Sequence, residues 1–404
     1  MTGRREREAR AALAAAVEPG TPGVSRAVAE HGPDAVLAAL REGRWEGSAR
    51  SALRQRALGT RGDAVLEGTR RAGLRFICPG DPDWPAGLDT LDLVEAKDRI
   101  AGAPLGLWTS GAADLAAVAE RSVAVVGARA ATAYGTQVAA DIAAGLGDRG
   151  WTVVSGGAYG IDAAAHRGAL AVASTTVAVL ACGADVAYPR GNAGLLARVC
   201  AEGAAVAELP PGSHPTRSRF LARNRLIAAL TSGTVVVEAA ARSGALSTLR
   251  WAHHLGRHGM AVPGPVTSAL SVGTHHALRS ETVLVTGAGD VLDLVGRLVL
   301  DAAPAPRGPD RPWDGLPPTR LAVLEALPSR GARGVEEVSR RSGVPEADVR
   351  VELSELQLVR LADAVPDGWR LGQVVRAARA ADRQEARAAA EAADGDPRHT
   401  DRGA

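Results

Sequence analysis

The sequence predicts an α/β protein built on a Rossmann-like, doubly wound and mainly parallel sheet. Three observations lead to this fold class. Short apolar runs alternate with Ala-rich segments of helical length between about residues 100 and 295, which is the pattern of repeated βαβ units. Glycine-rich turns follow two of these runs, where a strand would lead into a helix. Helical patterns lie on both sides of this region and predict flanking domains.

The domains follow from changes of pattern along the 404 residues, a length that suits two or three domains. Residues 1–78 contain short Ala/Leu helices broken by Pro-Gly signals, which predict an N-terminal helical domain of the SAM or helix-hairpin-helix kind. The Rossmann-like core spans 79–300, and a Pro-rich linker spans 301–316. Residues 317–372 have the order helix, helix, helix, hairpin and predict a winged-helix-like domain. Residues 373–404 offer no apolar face and are predicted to be a disordered tail.

Six short apolar runs are the candidate buried strands of the core. They are Ser122–Val126, Thr152–Val154, Thr176–Leu180, Ala205–Ala207, Thr234–Val237 and Met260–Val262. Helical segments such as Thr136–Arg149 and Ala163–Val172 lie between them. The predicted elements of the C-terminal domain are helices Thr319–Leu327, Val335–Ser342 and Glu346–Leu356 and a hairpin from Val359–Leu361 to Trp369–Leu371.

Composition and charge exclude several classes of protein. No apolar run approaches the ~20 residues of a membrane span, and the charged N-terminus lacks the apolar segment of a signal peptide. We therefore expect a cytoplasmic protein with no membrane contact. Cys78, Cys182 and Cys200 fit no metal-ligand spacing, and the histidines within 253–258 have no carboxylate or cysteine nearby. No metal or cofactor is predicted. The net charge of +2 gives no general sign of a nucleic-acid partner.

Two glycine-rich loops predict the binding site. In a doubly wound sheet, ligands bind beyond the carboxyl ends of the strands, near the point where the strand order reverses. Both loops follow strands and open helices, whose free N–H groups suit an anion. The first loop supplies Gly127, Arg129, Tyr134 and Gly135, and the second supplies Ser155, Gly156, Gly157, Tyr159, Gly160 and Asp162. Together they predict a phosphate-binding cradle.

Aromatic and arginine side chains are concentrated at the same edge of the predicted sheet. The chain has only three tyrosines, and Tyr134, Tyr159 and Tyr188 each fall in a loop after a predicted strand. Segment 217–225 holds four arginines and enters an apolar helix. Its candidate binding residues are Arg219, Phe220, Arg223, Asn224 and Arg225. Because arginine binds phosphate and rings stack on unstacked bases for ~1–3 kcal/mol each, the combination suits a nucleic-acid backbone with unstacked bases.

The loop sequences exclude the commonest nucleotide-binding enzymes. The first loop is not G-x-G-x-x-G, and no acidic residue ends the second strand, which counts against NAD. A P-loop is absent, and the only lysine, Lys97, lies elsewhere. Ser155 and His166 suggest a nucleophile and a base, but the G-x-S-x-G elbow is absent. We therefore do not expect an enzyme.

A series of motifs resembles the DprA/Smf family (DNA processing protein A) in order and spacing over about residues 80–295. The motifs are VAVVGARAATAYG, VVSGGAYGIDAAAHRGAL, VAVLACGADVAYPRGN, ELPPGSHPTRSRFLARNRLIAALT, VVVEAAARSGALSTLRWA and AVPGPVTSALSVGTHHAL. The resemblance implies sequence-independent binding of single-stranded DNA, protection of incoming strands in natural transformation and loading of the RecA recombinase. It also implies a homodimer and flanking domains like those predicted above.

The resemblance carries over to individual positions of this chain. Arg129 would be a main phosphate contact, Gly156, Gly157 and Gly160 would shape the second loop, and Arg223, Asn224 and Arg225 would lie along the groove. Glu238, Ser243, Gly244 and Thr248 would form a wall, and Gly264, Ser271 and Gly273 another loop there. Tyr159 stands where the family has an arginine, and the usual FPRRN reads FLARN at 220–224, with Leu221 at the proline and Ala222 at the first arginine. Both departures remove charge and bear on affinity.

Two other functions stay open from the sequence. Nucleotide phosphoribohydrolases of the lysine-decarboxylase-like kind have a related fold, but the Pro-Gly-Gly of their signature is absent at 232–238. A transcription regulator would use the winged-helix-like domain. Its candidate recognition helix, Glu346–Leu356, is acidic, whereas a helix that enters a major groove should be basic. We therefore interpret this domain as a protein-contact module.

Overall fold

The computed structural model describes residues 3–45, 50–94, 100–296 and 311–394. The chain divides into two compact units, residues 1–304 and 305–404. Most of the predicted linker and Lys97 lie outside the described residues. Within the described ranges, no helix has both the length and the apolar character that crossing a membrane requires.

A nine-stranded sheet organises the first unit. Its strands are β1 (Arg75–Ile77), β2 (Leu107–Ser110), β3 (Ser122–Val126), β4 (Thr152–Ser155), β5 (Thr176–Leu180), β6 (Ala204–Ala207), β7 (Gly233–Val236), β8 (His258–Ala261) and β9 (Val283–Leu284). Their order in the sheet is β1-β2-β6-β5-β4-β3-β7-β8-β9. Strands β3 to β9 pair in parallel, whereas β1 and β2 pair in an antiparallel manner. The predicted doubly wound, mainly parallel sheet is confirmed.

The strand order places the crevice. From β3 the chain builds outward through β4, β5 and β6, and it then returns to the other side of β3 with β7, β8 and β9. The reversal therefore lies between β3 and β7, whose register pairs Val125 with Val235. The central strands are buried along their whole length, as expected for a sheet covered on both faces.

Thirteen helices of the described residues belong to the first unit. They are α1 (Arg4–Ala16), α2 (Val24–His31), α3 (Pro33–Glu42), α4 (Arg50–Gly59), α5 (Gly62–Arg71), α6 (Leu115–Glu120), α7 (Ala133–Gly147), α8 (Ile161–Ala171), α9 (Ala193–Glu202), α10 (Arg217–Ala229), α11 (Ala245–His254), α12 (Val272–Leu278) and α13 (Ala288–Val295). Two short 3₁₀ segments, Ala86–Leu93 and Arg190–Asn192, complete the unit. Apolar residues of α7, α8 and α13 cover one face of the central strands, and those of α10 and α11 belong to a second core.

The N-terminal helices pack against the sheet. Leu13 and Leu40 share a core with Phe76, Trp108 and Val199. The rings of Phe76 and Trp108 lie 5.0 Å apart. Strand β1 therefore joins the sheet although the predicted boundary at residue 78 assigned it to the helical domain. A strand of three residues that begins with arginine gives too short an apolar run for detection by pattern.

The second unit contains helices and one hairpin. Its elements are α14 (Pro318–Ala326), α15 (Val335–Ser342), α16 (Glu346–Leu358), β10 (Ala362–Val365), β11 (Gly368–Leu371) and α17 (Gln373–Asp394). The first five follow the predicted order, and the winged-helix assignment stays a prediction. Residues 373–394 differ from the predicted disordered tail, because Val375 is buried in the core of this unit and anchors the start of a helix. Residues 395–404 lie outside the described residues.

Candidate functional site

A cavity of about 270 Å³ lies at the reversal point of the sheet, where β3 ends. Its walls include predicted site residues from four separate stretches of the chain. These are Gly127, Arg129, Asp162, Phe220, Arg223, Asn224, Ser243, Gly244 and Thr248. The crevice that the fold class predicted is therefore present, and helices α10 and α11 close it on the side away from the two glycine-rich loops.

Arg223 is the central polar group of this cavity. Only 7% of the residue is exposed. Its Nε has no hydrogen-bond partner, and within the described residues its guanidinium forms no ion pair. Gly156 provides the space, because a Cβ at that position would lie 1.6 Å from Nη1 of Arg223. A buried cation without a bonded partner is costly, so this guanidinium is suited to receive an anion.

Buried titratable groups surround Arg223. Burial raises the pKa of Asp162, and the opposing effects of Arg223 and of backbone N–H groups, including that of Ala158, are smaller. Burial also lowers the pKa of the Arg223 guanidinium. Asp162 and Arg223 both line the cavity but form no ion pair within hydrogen-bonding reach in the described structure. The charge of Arg223 is therefore only partly offset from within the protein.

Arg129 and a row of aromatic rings form the mouth of the cavity. The guanidinium of Arg129 lies over the ring of Phe220, 4.5 Å from its centroid, and the ring of Tyr188 lies 5.9 Å from that of Phe220. Tyr159 is exposed, and its hydroxyl accepts a hydrogen bond from the N–H of Gly191 in the loop that follows Tyr188. This side of the mouth therefore presents rings and cations together.

Tyr134 lies on the other side of the crevice. Its ring is exposed, and its hydroxyl donates to the carbonyl of Pro263, which follows β8. Tyr159 and Tyr188 lie in loops as predicted, whereas Tyr134 is the second residue of helix α7. The hydroxyls of Tyr134 and Tyr159 are used within the protein, whereas their rings face outward.

Several predicted residues shape the loops instead of facing the cavity. The carboxylate of Glu238 accepts hydrogen bonds from the backbone N–H of Thr132 (2.9 Å) and from its hydroxyl (2.6 Å), and it packs on Gly135. Gly160 has a φ of +73°, and a Cβ there would lie 2.2 Å from the carbonyl oxygen of Ala128. Gly157 also has a positive φ. Glu238 therefore supports the first glycine-rich loop, and the close approach of Gly160 to Ala128 brings the second loop against the first.

The loop after β8 is likewise structural. A Cβ on Gly264 would lie 2.3 Å from Oγ of Ser271, and the N–H of Gly273 donates to the carbonyl of Ala239 (2.8 Å). This loop packs on the chain that leaves β7. Gly264 and Ser271 belong to this loop, and Gly273 is the second residue of α12; none of the three lines the cavity in the described part of the protein.

Three predicted binding residues are engaged inside the protein. Arg225 is fully buried, and its guanidinium donates to both oxygens of Glu208 at 2.7 and 2.6 Å. Arg219 donates to the carboxylate of Glu18 at 3.0 and 2.9 Å. The buried hydroxyl of Ser155 donates to the carbonyl of Val125. Arg225 and Ser155 thus differ from the sequence prediction, because each satisfies a buried neighbour and neither reaches the crevice surface.

Some lining residues were not predicted from the sequence. Val126, Ala158, Ile227 and Ala245 contribute apolar surface to the cavity. Apolar residues at the end of a strand or within an Ala-rich helix look the same in sequence whether they pack in a core or line a pocket. The sequence at the start of α11 gave only a weak indication of the cavity, because Ser243 and Gly244 precede the apolar run of this helix.

Comparisons with known proteins agree with this architecture. The family model described as DNA recombination-mediator protein A matches residues 75–296. The putative DNA processing protein DprA of Mycobacterium tuberculosis is 48% identical over 308 residues, which are 76% of this chain and 79% of that protein. Protein Smf of Escherichia coli is 37% identical over 66% of this chain and 71% of its own length. The X-ray structure of DNA processing protein A from Streptococcus pneumoniae superposes with a TM-score of 0.61 and 28% identity, covering 74% of this chain and 100% of that one.

Proposed function

Because the chain belongs to the DNA recombination-mediator protein A family, we propose that it binds single-stranded DNA in the crevice between β3 and β7. The observation that carries this proposal is Arg223, a buried cation without a bonded partner that faces a cavity with Arg129 at its mouth. In this proposal the protein holds DNA and catalyses no reaction.

The exposed arginines near the mouth support contact with phosphates. Arg129 lines the cavity, and Arg190, Arg217 and Arg242 are each within three residues of Tyr188, Phe220 or Ser243. All four are exposed, and none forms an ion pair with another described residue. Exposed arginines with no carboxylate partner are free to neutralise a phosphate backbone.

The aromatic row supports contact with unpaired bases. Phe220, Tyr188 and Tyr159 provide rings along one side of the mouth. Stacking on such rings needs bases that are not stacked in a duplex, at ~1–3 kcal/mol for each base. The crevice therefore suits a single strand more than a duplex.

Three further parts of the proposal rest on family membership alone. We propose that the protein protects incoming strands and loads RecA during transformation or recombination. We also propose that it works as a homodimer, which would place two crevices along one strand and favour cooperative coating. Its expected place of action is the cytoplasm, where such strands arrive.

The test is fluorescence anisotropy with a labelled oligo-dT and a duplex of the same length, over a series of salt concentrations. We expect the single strand to bind more tightly, with affinity falling by a log-log slope of about 0.7 per phosphate neutralised. Arg129→Ala should weaken binding severalfold and reduce that slope. Arg250→Ala is the matched control, because Arg250 is an exposed arginine of α11 that does not line the cavity. Equal affinity for the duplex, or no effect of Arg129→Ala, would overturn the proposal.

A further inference from the structure

The cavity is small for a site that binds a polymer. Its volume of about 270 Å³ lies at the lower end of ligand pockets, which start near ~300 Å³. It can accommodate about one nucleotide, and the remainder of a bound strand would lie outside, along Arg129 and the aromatic row. A cavity that holds about one nucleotide could also hold a single nucleotide that is not part of a DNA strand.

One end of the cavity is built for an anion. The guanidinium of Arg223 is more than nine-tenths buried and lacks a bonded partner at Nε. Gly244, at the N-terminal end of the ten-residue helix α11, also lines the cavity, and its N–H donates to no other group of the described chain. A helix N-terminus favours negative charge, so the two features reinforce each other at one place.

The remaining walls suit a ring. Val126, Ile227 and Ala245 provide apolar surface, and Phe220 provides an aromatic ring. The side-chain N–H of Asn224 donates to the carbonyl of Gly244 at 3.2 Å, which leaves the amide oxygen of Asn224 as an acceptor. An inorganic anion would leave these apolar walls unused, and an uncharged nucleoside would leave Arg223 without its partner.

We propose that the pocket also binds free nucleoside monophosphates, with the phosphate at Arg223 and the start of α11 and the base against the apolar walls. The free nucleotide competes with single-stranded DNA for this pocket. The proposal depends on the proposed function only for that competition, since the pocket and its charge are properties of the folded chain itself. Asp162, on the same cavity, offsets part of the positive charge of Arg223.

The experiment is isothermal titration calorimetry on the full chain with dTMP, thymidine and inorganic phosphate as separate ligands. We expect dTMP to bind with one site per chain and at least about tenfold more tightly than thymidine or phosphate, because only dTMP uses both ends of the pocket. In a parallel anisotropy titration, dTMP should displace labelled oligo-dT. Phosphate that binds as tightly as dTMP would overturn the proposal, and so would dTMP that fails to bind a protein that does bind oligo-dT.

Two variants connect the binding to Arg223. Arg223→Gln should weaken dTMP binding about tenfold or more, since a bond to a charged group is lost. Gly156→Ala keeps the charge but forces the guanidinium to move, because the new Cβ would lie 1.6 Å from it, and it should cause a similar loss. Arg250→Gln is the control, and circular dichroism verifies that each variant is folded. Unchanged dTMP affinity in a folded Arg223→Gln or Gly156→Ala protein would contradict the proposal. Binding of dTMP without binding of oligo-dT would refute the proposed function and leave this inference standing.

Discussion

Helix α10 carries two buried arginines, two positions apart, of which only one is paired with a carboxylate. Arg223 faces the cavity without a bonded partner, whereas the guanidinium of Arg225 donates to both carboxylate oxygens of Glu208. Residues two positions apart in an α-helix are ~200° apart around its axis. The side chains of Arg223 and Arg225 are therefore directed to different sides of α10. Helical geometry assigns one of them to the ligand and the other to the protein.

The comparison shows that an arginine-rich segment has no single role. Arg219 belongs to the same segment and is held by Glu18, which is 201 positions away in sequence. The role of each arginine is set by whether a carboxylate from elsewhere in the chain reaches it. Variants at these positions should therefore differ in the size, and even in the sign, of their effects on stability and binding.

Breaking the Arg225 ion pair should produce the largest effect. Arg225→Met leaves the carboxylate of Glu208 buried without its partner, so the free energy of unfolding should fall by ~3–5 kcal/mol. Urea denaturation at pH 7 measures this change in the free energy of unfolding. The double variant Arg225→Met/Glu208→Leu removes both charges and should recover most of the loss. A single variant with wild-type stability would show that the pair does not support the fold.

The second largest effect is expected near Arg223, where buried His166 should make the stability of the protein depend on pH. His166 is fully buried, and burial, followed by the nearby charge of Arg223, lowers its pKa to about 3 from an ordinary value of 6.5. Below pH 6.5 the imidazole of His166 therefore takes up a proton in the unfolded chain, whereas in the folded chain it does so only near pH 3. Stability should decrease as the pH falls through this window, by ~2 kcal/mol between pH 6.5 and pH 5.

Urea denaturation at several pH values tests this dependence. His166→Gln should flatten the loss between pH 6.5 and pH 5, whatever it does to stability at neutral pH. His276→Gln, at an exposed position of α12, is the control and should keep the wild-type slope. A wild-type slope in the His166 variant would show that other groups cause the acid dependence.

Much of the fold was predictable from the sequence, because each central strand is an apolar run that is buried on both faces. Ser122–Val126 and Thr176–Leu180 were predicted with the bounds that the structure has. Strands β1 and β9, at the two edges of the sheet, and β2, which lies next to β1, were not predicted. Strand β9 has two residues and both are exposed, so it lacks the apolar run by which a buried strand is detected.

The candidate site was predictable in its location but only partly in its residues. Glycine-rich loops after strands indicated the crevice, and Arg129 and Phe220 lie at its mouth. The partners of Arg219 and Arg225 could not be predicted, because Glu18 and Glu208 reach them only through tertiary packing. The local sequence shows where the arginines are, but which carboxylate pairs with each of them depends on the tertiary structure.

Replacing Arg223 should have a smaller effect on stability, with the opposite sign to that of Arg225. Arg223→Gln removes a buried charge that has no bonded partner, so the free energy of unfolding should rise by ~1 kcal/mol while binding of oligo-dT weakens. Chemical denaturation and anisotropy on the same preparation measure both quantities. A loss of 3 kcal/mol or more, as expected for Arg225→Met, would remove the distinction between the two arginines.

The smallest effect is expected at Glu18, which is partly exposed. Its carboxylate accepts hydrogen bonds from Arg219 and Arg56, and the bond from Arg219 is the main cause that lowers its pKa below the ordinary 4.5. Because the folded pKa is the lower one, the ion pairs stabilise the protein above about pH 4.5, and this contribution is lost as the pH falls below it. Glu18→Gln should therefore cost up to ~1 kcal/mol at pH 7, and the difference from wild type should disappear in acid.

The same variant tests whether Arg219 can join the DNA-binding arginines. Once Glu18 is neutral, the guanidinium of Arg219 loses its charged partner, one position before Phe220 at the mouth of the cavity. The affinity for oligo-dT should then rise up to severalfold at low salt, because one more cation is available to a phosphate. In the double variant Glu18→Gln/Arg219→Gln the gain should disappear. If Glu18→Gln raises affinity equally with and without Arg219, the gain comes from the lost negative charge alone, and Arg219 belongs with Arg225 as a purely structural arginine.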